Sequence, residues 1–320
     1  LVMGISGAFG GHVAQALAQQ GWQLKALMRD PKKLPKQFST AEVCQGDAAN
    51  LNEVRNAASD VELIVYGISP ANYNWEGKAF EWLNVTAQVA EEKQLCIVFP
   101  GNVYVFNPED GPVFTEQSPM RPIRRKGQIR LAMEKRLKQA AEQGAKVIIF
   151  RMGDFIGANV TSTWIQQLIK STKKGYKLLA PGPVNLAHTW AYLPDVAQTI
   201  AALVEKKDSF EVFNVFHFKG YQASLQDIAN CIGEGTGKTV KISAFPWFLM
   251  RLLKPFSVLI QGLFEMNYLW REPVLLSDEK LQKTLGKAPL KTNLSSALLE
   301  AGLLGKQTET KTEHYHSLRY

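Results

Sequence analysis

Two stretches of this 320-residue chain carry residue types at spacings that could do chemistry. The first is "GISGAFG", Gly4 to Gly10, where three glycines stand three residues apart after a short apolar run. Without a Cβ, glycine permits a tight turn, close approach of backbone to a ligand, and close seating of a helix on a strand. A helix opening there would offer unpaired amides to an anion, making Gly4, Ser6, Gly7, Ala8, Phe9 and Gly10 a bed for linked phosphates. The second is "RRKGQIR", residues 124–130, with four cations in seven residues and no acid. Ile129, Met133, Leu137 and Ala140 set a helical period from Gly127 to Ala141, so Lys126 and Arg130 fall one turn apart on a common face. Like charges at that spacing repel, and an anion should compensate. It is either Glu134, one turn beyond Arg130, or a ribose, phosphate or acidic substrate in a cleft; otherwise the basic face is simply solvated.

The elements that must position these residues follow an alternating rhythm. Leu24–Met28, Val61–Tyr66, Leu95–Phe99 and Val147–Phe150 read as buried strands of a parallel sheet. Between them, His12–Gln20 is an amphipathic helix stopped by Gly21, and Trp75–Lys93 repeats the pattern with Phe80, Leu83, Ala87 and Ala90 inward. The fold class is therefore α/β, a Rossmann-type doubly wound parallel sheet. After Gly157 the rhythm loosens. Helices near Ser162–Lys173 and Pro194–Val204 flank "HTWAYLP", and Val212–Val215 could be a further strand. Ser224 with Asp227 forms a capping box for a helix to Ile232. Short helices at Pro246–Leu253, Ser277–Leu285 and Leu294–Leu303 follow. This gives a dinucleotide-binding domain over 1–155, to which 187–217 returns, and a smaller, mostly helical substrate domain over 156–305. A polar tail occupies 306–320.

A sheet of this kind binds dinucleotides at the carboxyl ends of its strands. NAD-binding versions carry an acid at the end of the second strand, roughly twenty residues after the glycines. Here Met28 ends the strand and Arg29 follows, which suits a 2′-phosphate, with Lys32 and Lys33 adding field strength. NADP is thus favoured over NAD, although Asp30 could hold a ribose or neutralise Arg29. Asp47, with Ala48, could meet the adenine, or Asp47 could cap the helix behind it. Gly67 and Ile68 end the fourth strand, Pro100 the fifth, and Met152 and Gly153 the sixth, all where the cofactor would pass.

Taken together, "GISGAFG", Arg29, "GDAANLNEV", "WLNVTAQVAEE", "VFPGNVYVF" and "RMGDFIG" resemble the short-chain dehydrogenase/reductase superfamily. The likeness is to its extended, NAD-dependent epimerase/dehydratase branch, over most of the first 220 residues. The resemblance implies a Rossmann domain, a smaller C-terminal substrate domain and a cleft between them, with "HTWAYLPDVA", Asp195 included, returning to the Rossmann part. It also implies a catalytic Tyr with a Lys four residues later, aided by a Ser or Thr after the fifth strand. This sequence departs from that pattern. Lys126 falls at the Tyr position, Arg130 at the Lys position, and Pro100 or Gly101 where the hydroxyl belongs. Lys126, Tyr104 and Asn102 remain as candidate acid–base groups; Arg130 cannot serve, because guanidinium stays charged. Asp154 and His188 are expected to face a substrate. The expected activity is that of an NADP(H)-binding oxidoreductase acting on a small, hydroxyl- or carbonyl-containing and anionic substrate. The alternative is a non-catalytic NADP(H)-sensing protein of the same fold.

Composition narrows the partners. With 46% hydrophobic residues the chain can bury a full core, and a net charge of +8 admits anionic partners. The basic run lacks any reader motif or stacking aromatics, so nucleic acid is not expected. Cys44, Cys96 and Cys231 lie far apart without metal-ligand or disulfide spacing; no metal is expected, and a reducing compartment, the cytoplasm, fits. No secretory signal is read at "LVMG", where a few upstream residues are expected to be missing. The apolar segment Phe245–Phe264 is broken by Arg251, Lys254 and Pro255, so no transmembrane span is expected. Packing of that segment onto the body or onto the partner in a homodimer is expected ahead of a place at a membrane interface.

Overall fold

The computed structural model describes residues 1–158 and 163–304. Seven strands form one all-parallel sheet: β1 (Val2–Met3), β2 (Lys25–Met28), β3 (Glu42–Gln45), β4 (Leu63–Tyr66), β5 (Cys96–Asn102), β6 (Lys146–Met152) and β7 (Phe213–His217). Their spatial order is 3-2-1-4-5-6-7, a doubly wound arrangement with its reversal between β1 and β4. The helices are α1 (Ala8–Gln19), α2 (Leu51–Ala57), α3 (Lys78–Lys93), α4 (Arg125–Glu142) and α5 (Leu193–Val204).

Strand side chains alternate between two faces, and each face has its own cover. Val65, Val98 and Ile148 meet Val13, Leu17 and Val196 from α1 and α5. Ile64, Ile97 and Ile149 meet Leu83, Leu137 and Met133 from α3 and α4. With both faces covered, the strands read as apolar runs, which is why they were legible. Leu83 and Leu137 are fully buried, so truncating either to alanine would cost about 2–5 kcal/mol. Helix α1 ends where its sequence says, with Gly21 at φ +89° just past the last turn.

Beyond the sheet, Asp154–Ile156, His188–Tyr192 and Tyr221–Ala223 form one three-stranded sheet, and Ile169–Thr172, Gly175–Ala180 and Thr239–Ala244 another. Helices Leu225–Thr236, Trp247–Leu253, Val258–Glu265, Glu279–Leu285 and Leu294–Glu300 complete this region. The capping box forms between Ser224 and Asp227. Asp195, buried at the start of α5, accepts from the Thr292 amide (2.7 Å) and hydroxyl (2.8 Å), tying a late loop to the Rossmann body. Among the described residues no helix is long and apolar enough to cross a membrane.

Several local expectations are corrected. The helix expected near Ser162–Lys173 is only Trp164–Leu168 within the described residues; Ile169–Thr172 turns at Lys173–Lys174 and pairs antiparallel with Gly175–Ala180. There, burial of Tyr176, Leu178 and Ala180 on alternate positions outweighs helical propensity. Phe80, expected to face inward, is 38% exposed in the first turn of α3. The apolar segment Phe245–Phe264 packs onto the body only in part: Trp247 donates to the Pro181 carbonyl and packs on Phe264, and Gly262 is buried, while Phe248, Leu252 and Phe256 stay exposed. Residues 306–320, read as a polar tail, lie outside the described residues.

The compensation expected between Glu134 and Arg130 goes elsewhere. Glu134 ion-pairs with Arg151, a fully buried arginine on β6 whose guanidinium also lies over Phe106 at 5.3 Å. Arg151 reaches His217 as well, with Nη1 donating to Nε2 at 3.1 Å, while the His217 Nδ1–H donates to the Phe114 carbonyl at 3.2 Å. Both ring nitrogens are thereby assigned to the neutral form. Burial, then the Arg151 charge, pushes the His217 pKa from 6.5 down to about 3, with Lys280 adding to the same direction. Between those values the unfolded chain binds a proton that the folded chain lacks, so stability is lost as pH falls through this window. Denaturant unfolding at pH 6.5 to 5 should show stability falling by up to about 1.4 kcal/mol per pH unit from this one group. His217→Gln, which cannot take up that proton, should flatten the dependence by that amount; an unchanged slope would show that His217 does not titrate with unfolding.

Candidate functional site

Because all seven strands run parallel, their carboxyl ends lie along one edge of the sheet, and the residues picked out from the sequence gather there. Gly4 follows β1, Arg29 follows β2, and Asp47 and Ala48 follow β3. Gly67 and Ile68 follow β4; Pro100 and Asn102 end β5; Met152 ends β6, with Gly153 and Asp154 after it.

The centre of this edge is built from missing side chains. A Cβ on Gly10 would stand 2.3 Å from the Gly4 carbonyl oxygen, one on Gly4 would stand 2.6 Å from that of Gly67, and one on Gly67 would stand 2.8 Å from Gly10 Cα. Gly4 also holds φ +85°, which disfavours any other residue. These contacts bring the start of α1 against the ends of β1 and β4. Gly7 caps α1 with no side-chain acceptor, so no capping side chain meets the amides of Ala8, Phe9 and Gly10. Ser6 is exposed beside them. The Phe9 ring and the Met152 side chain are buried in the core, so of these two only the backbone can face a ligand.

At the end of β2, Arg29 is exposed, and among the described residues no acid pairs with it. The Asp30 carboxylate accepts from the Lys32 amide (3.1 Å) and lies 3.9 Å from Lys33 Nζ. Asp47 accepts from the Ala49 amide at 2.9 Å, but it is not the cap of α2; Asn50 takes that place, accepting from Asn52 and Glu53.

The two cations of α4 part company. Lys126 is buried, and its ammonium lies 2.6 Å from Glu265, whose other oxygen accepts the Lys126 amide at 2.7 Å. One carboxylate thus pairs a cation and caps a helix start that lacks a side-chain cap of its own. Arg130 lies over Trp75 (4.8 Å) and Phe99 (5.2 Å) and donates to the Pro100 carbonyl at 3.1 Å. Its Nε is buried with no hydrogen-bond partner. Burial pushes this guanidinium below its ordinary range, opposed by Tyr104, Tyr66 and Glu134. Tyr104 stacks on Trp75 at 6.2 Å, and Asn102 spends its side-chain oxygen on the Tyr104 amide. Where a hydroxyl after the fifth strand was sought, a Cβ on Gly101 would stand 2.5 Å from Arg151 Cγ, so that space is filled.

Asp154 and His188, 34 residues apart, are brought together: the carboxylate meets the imidazole Nε2 at 2.6 Å. The ring stacks on Trp270, 4.4 Å between centroids and 3° between planes. Sequence reasoning named Asp154 and His188 separately and missed Glu265, Trp75, Trp270 and Arg151. Glu265 lies 139 residues from its partner and carries no local signal. Among the described residues no group of His, Cys, Asp and Glu could hold a metal ion.

Residues 1–215 match the model of the NAD dependent epimerase/dehydratase family. An uncharacterized protein of Sinorhizobium fredii (strain NBRC 101917 / NGR234), y4nL, is 25% identical over 274 residues, 77% of this chain and 75% of its own. Among solved structures, UDP-N-acetylglucosamine 4-epimerase from Bacillus cereus aligns with a TM-score of 0.70 at 15% identity, over 97% of each chain. DesIV, a dTDP-glucose 4,6-dehydratase from Streptomyces venezuelae with NAD and TYD bound, gives 0.72 at 15% identity, over 95% of this chain and 94% of its own. At such identities the structural likeness is one of fold.

The glycine contacts rank the substitutions at this edge. Gly10→Ala forces backbone apart and should cost about 1–3 kcal/mol of stability, whereas Gly7→Ala, whose added carbon would stand 3.2 Å from the Gly4 oxygen, should cost less. Urea unfolding of the two variants checks the order, and equal losses would contradict the close approach described.

Proposed function

The chain belongs to the NAD dependent epimerase/dehydratase family, and we propose that it binds NADP(H) along this edge and acts on a small, hydroxyl- or carbonyl-bearing, anionic substrate. The observation that carries the reading is the side-chain-free contact of Gly4, Gly10 and Gly67 beneath uncapped α1 amides. In this reading the dinucleotide lies on a Rossmann part, residues 1–155, and the substrate between it and the smaller part, residues 156–305. The amides of Ala8 to Gly10 hold the pyrophosphate, and Arg29 the 2′-phosphate, with Asp47 and Ala48 beside the adenine. Gly67, Ile68, Pro100 and Gly153 line the path of the cofactor. Two observations support the fit: Arg29 is exposed with no acid paired to it among the described residues, and the buried Arg130 Nε is a donor without an acceptor.

Bound there, a nicotinamide ring would supply hydride exchange. The chain's own contribution is proton handling and positioning. Asp154 fixes the His188 ring through Nε2, which leaves Nδ1 as the nitrogen able to hydrogen-bond a substrate hydroxyl or carbonyl and exchange its proton. Trp270 keeps that ring in plane and shields one face. Lys126, held by Glu265, serves in this reading as a structural cation.

A second reading, an NADP(H)-binding sensor without turnover, is favoured by one specific feature. The position expected for the catalytic tyrosine carries a lysine engaged by Glu265, and the place of the hydroxyl is filled by Arg151. Turnover separates the two: NADPH oxidation with a panel of carbonyl compounds, abolished by His188→Ala, supports the enzyme, whereas tight binding with no turnover supports the sensor. For the cofactor, fluorescence titration should give tighter binding of NADPH than of NADH. Arg29→Ala should weaken NADPH about tenfold or more, the worth of one charge-assisted phosphate contact, with little effect on NADH. Equal affinities in the unaltered protein would overturn the NADP assignment.

A further inference from the structure

We propose that the turn of chain from Trp247 to Glu265 is a docking surface for a lipid bilayer bearing anionic headgroups. Helix Trp247–Leu253 and the turn Lys254–Phe256 have no buried residue, and helix Val258–Glu265 buries only Gly262. Phe248 is 77% exposed, Leu252 63% and Phe256 86%, values far from those of side chains that merely rim a core. The segment is nonetheless held in place from below. The Trp247 indole N–H donates to the Pro181 carbonyl at 2.8 Å, its ring packs on Phe264 at 5.0 Å, and Glu265 grips Lys126 at 2.6 Å. Large apolar side chains thus project from an anchored platform. Phe248, Leu249, Leu252 and Leu253 share one helix face, and Phe256 extends it at the turn.

Charge selects the occupant. From Gly235 to Phe264 the sequence contains no Asp or Glu, while Lys238, Lys241, Arg251 and Lys254 are all cationic. Arg251 and Lys254 are exposed beside the apolar face. An apolar face bordered by cations on a short helix, with aromatic and leucine side chains outward, is the composition that lies in a headgroup layer and is drawn to anionic lipid. A second copy fits less well. A two-fold contact through this face would bring Arg251 and Lys254 onto a surface of the other copy whose one acid, Glu265, is already held by Lys126. This surface does not depend on what the glycine edge binds, although Glu265 joins the two regions through Lys126.

Flotation of the whole protein with phosphatidylcholine vesicles, with and without phosphatidylglycerol, tests the assignment. The protein should rise with the phosphatidylglycerol vesicles, less with phosphatidylcholine alone, and be released by added salt. Leu252→Ser with Phe256→Ser should reduce partitioning about tenfold or more, and Arg251→Glu with Lys254→Glu should abolish the preference for phosphatidylglycerol. All four side chains are exposed, so circular dichroism should show both variants folded. Failure of the unaltered protein to float, or undiminished flotation of the serine variant, would overturn the proposal. So would sedimentation as a dimer that the serine substitutions dissociate, without flotation, since the occupant would then be a second copy.

Discussion

The approach of one helix to two strand ends is the constraint on which the rest of this structure depends. Where α1 leaves β1, Gly4, Gly10 and Gly67 meet at distances that exclude even a methyl group, and no other residue type could bring the helix so near the sheet. Because α1 starts there with a glycine cap, its first amides open onto the strand ends. The alignment of Arg29, Asp47, Pro100 and Asp154 along the same edge is then a consequence of seven parallel strands. Everything assigned to ligand binding takes its location from that packing.

The second organising feature is the handling of positive charge. A helix carrying Arg124, Arg125, Lys126 and Arg130 within about two turns would repel itself if its cations faced each other in a dry interior. The fold resolves this by sending them different ways. Lys126 meets a carboxylate from a distant helix, Arg125 pairs at the surface with Glu76, and Arg130 is placed over aromatic rings with one carbonyl acceptor. Arg151, not on this helix at all, takes the acid that lies nearest Arg130 in sequence and fills the space beside Gly101. Buried pairs of this kind are costly to break, because removing one partner strands the other in a poor solvent. The rearranged charge set is therefore a unit.

These features also relate the strand-end edge to the outer surface. Glu265 closes a helix whose neighbours project apolar side chains, and the same carboxylate holds the first turn of α4. A single side chain thus joins the exposed platform to the helix whose cations border the proposed cofactor path. The Asp154–His188 pair, stacked on Trp270, shows the same economy: one aromatic from a late segment orients a dyad assembled from two strands.

Local chemistry made much of this legible in the sequence. The apolar strands, the glycine turn, the Gly21 stop and the Ser224 capping box all depend on residues within a few positions of each other, so spacing alone determined them. The exposed charge after β2 was equally readable, since strand end and arginine are adjacent. Tertiary structure alone decided which partner each charge takes. Glu134 chose Arg151 over Arg130, and Lys126 chose Glu265, because those choices depend on distance through space between segments separated by up to 139 residues. The same holds for the short strand at Ile169–Thr172 and for the uncovered face at Phe248 and Phe256. An apolar run is buried or bare according to what the fold places above it, and that is a property of the whole chain's packing.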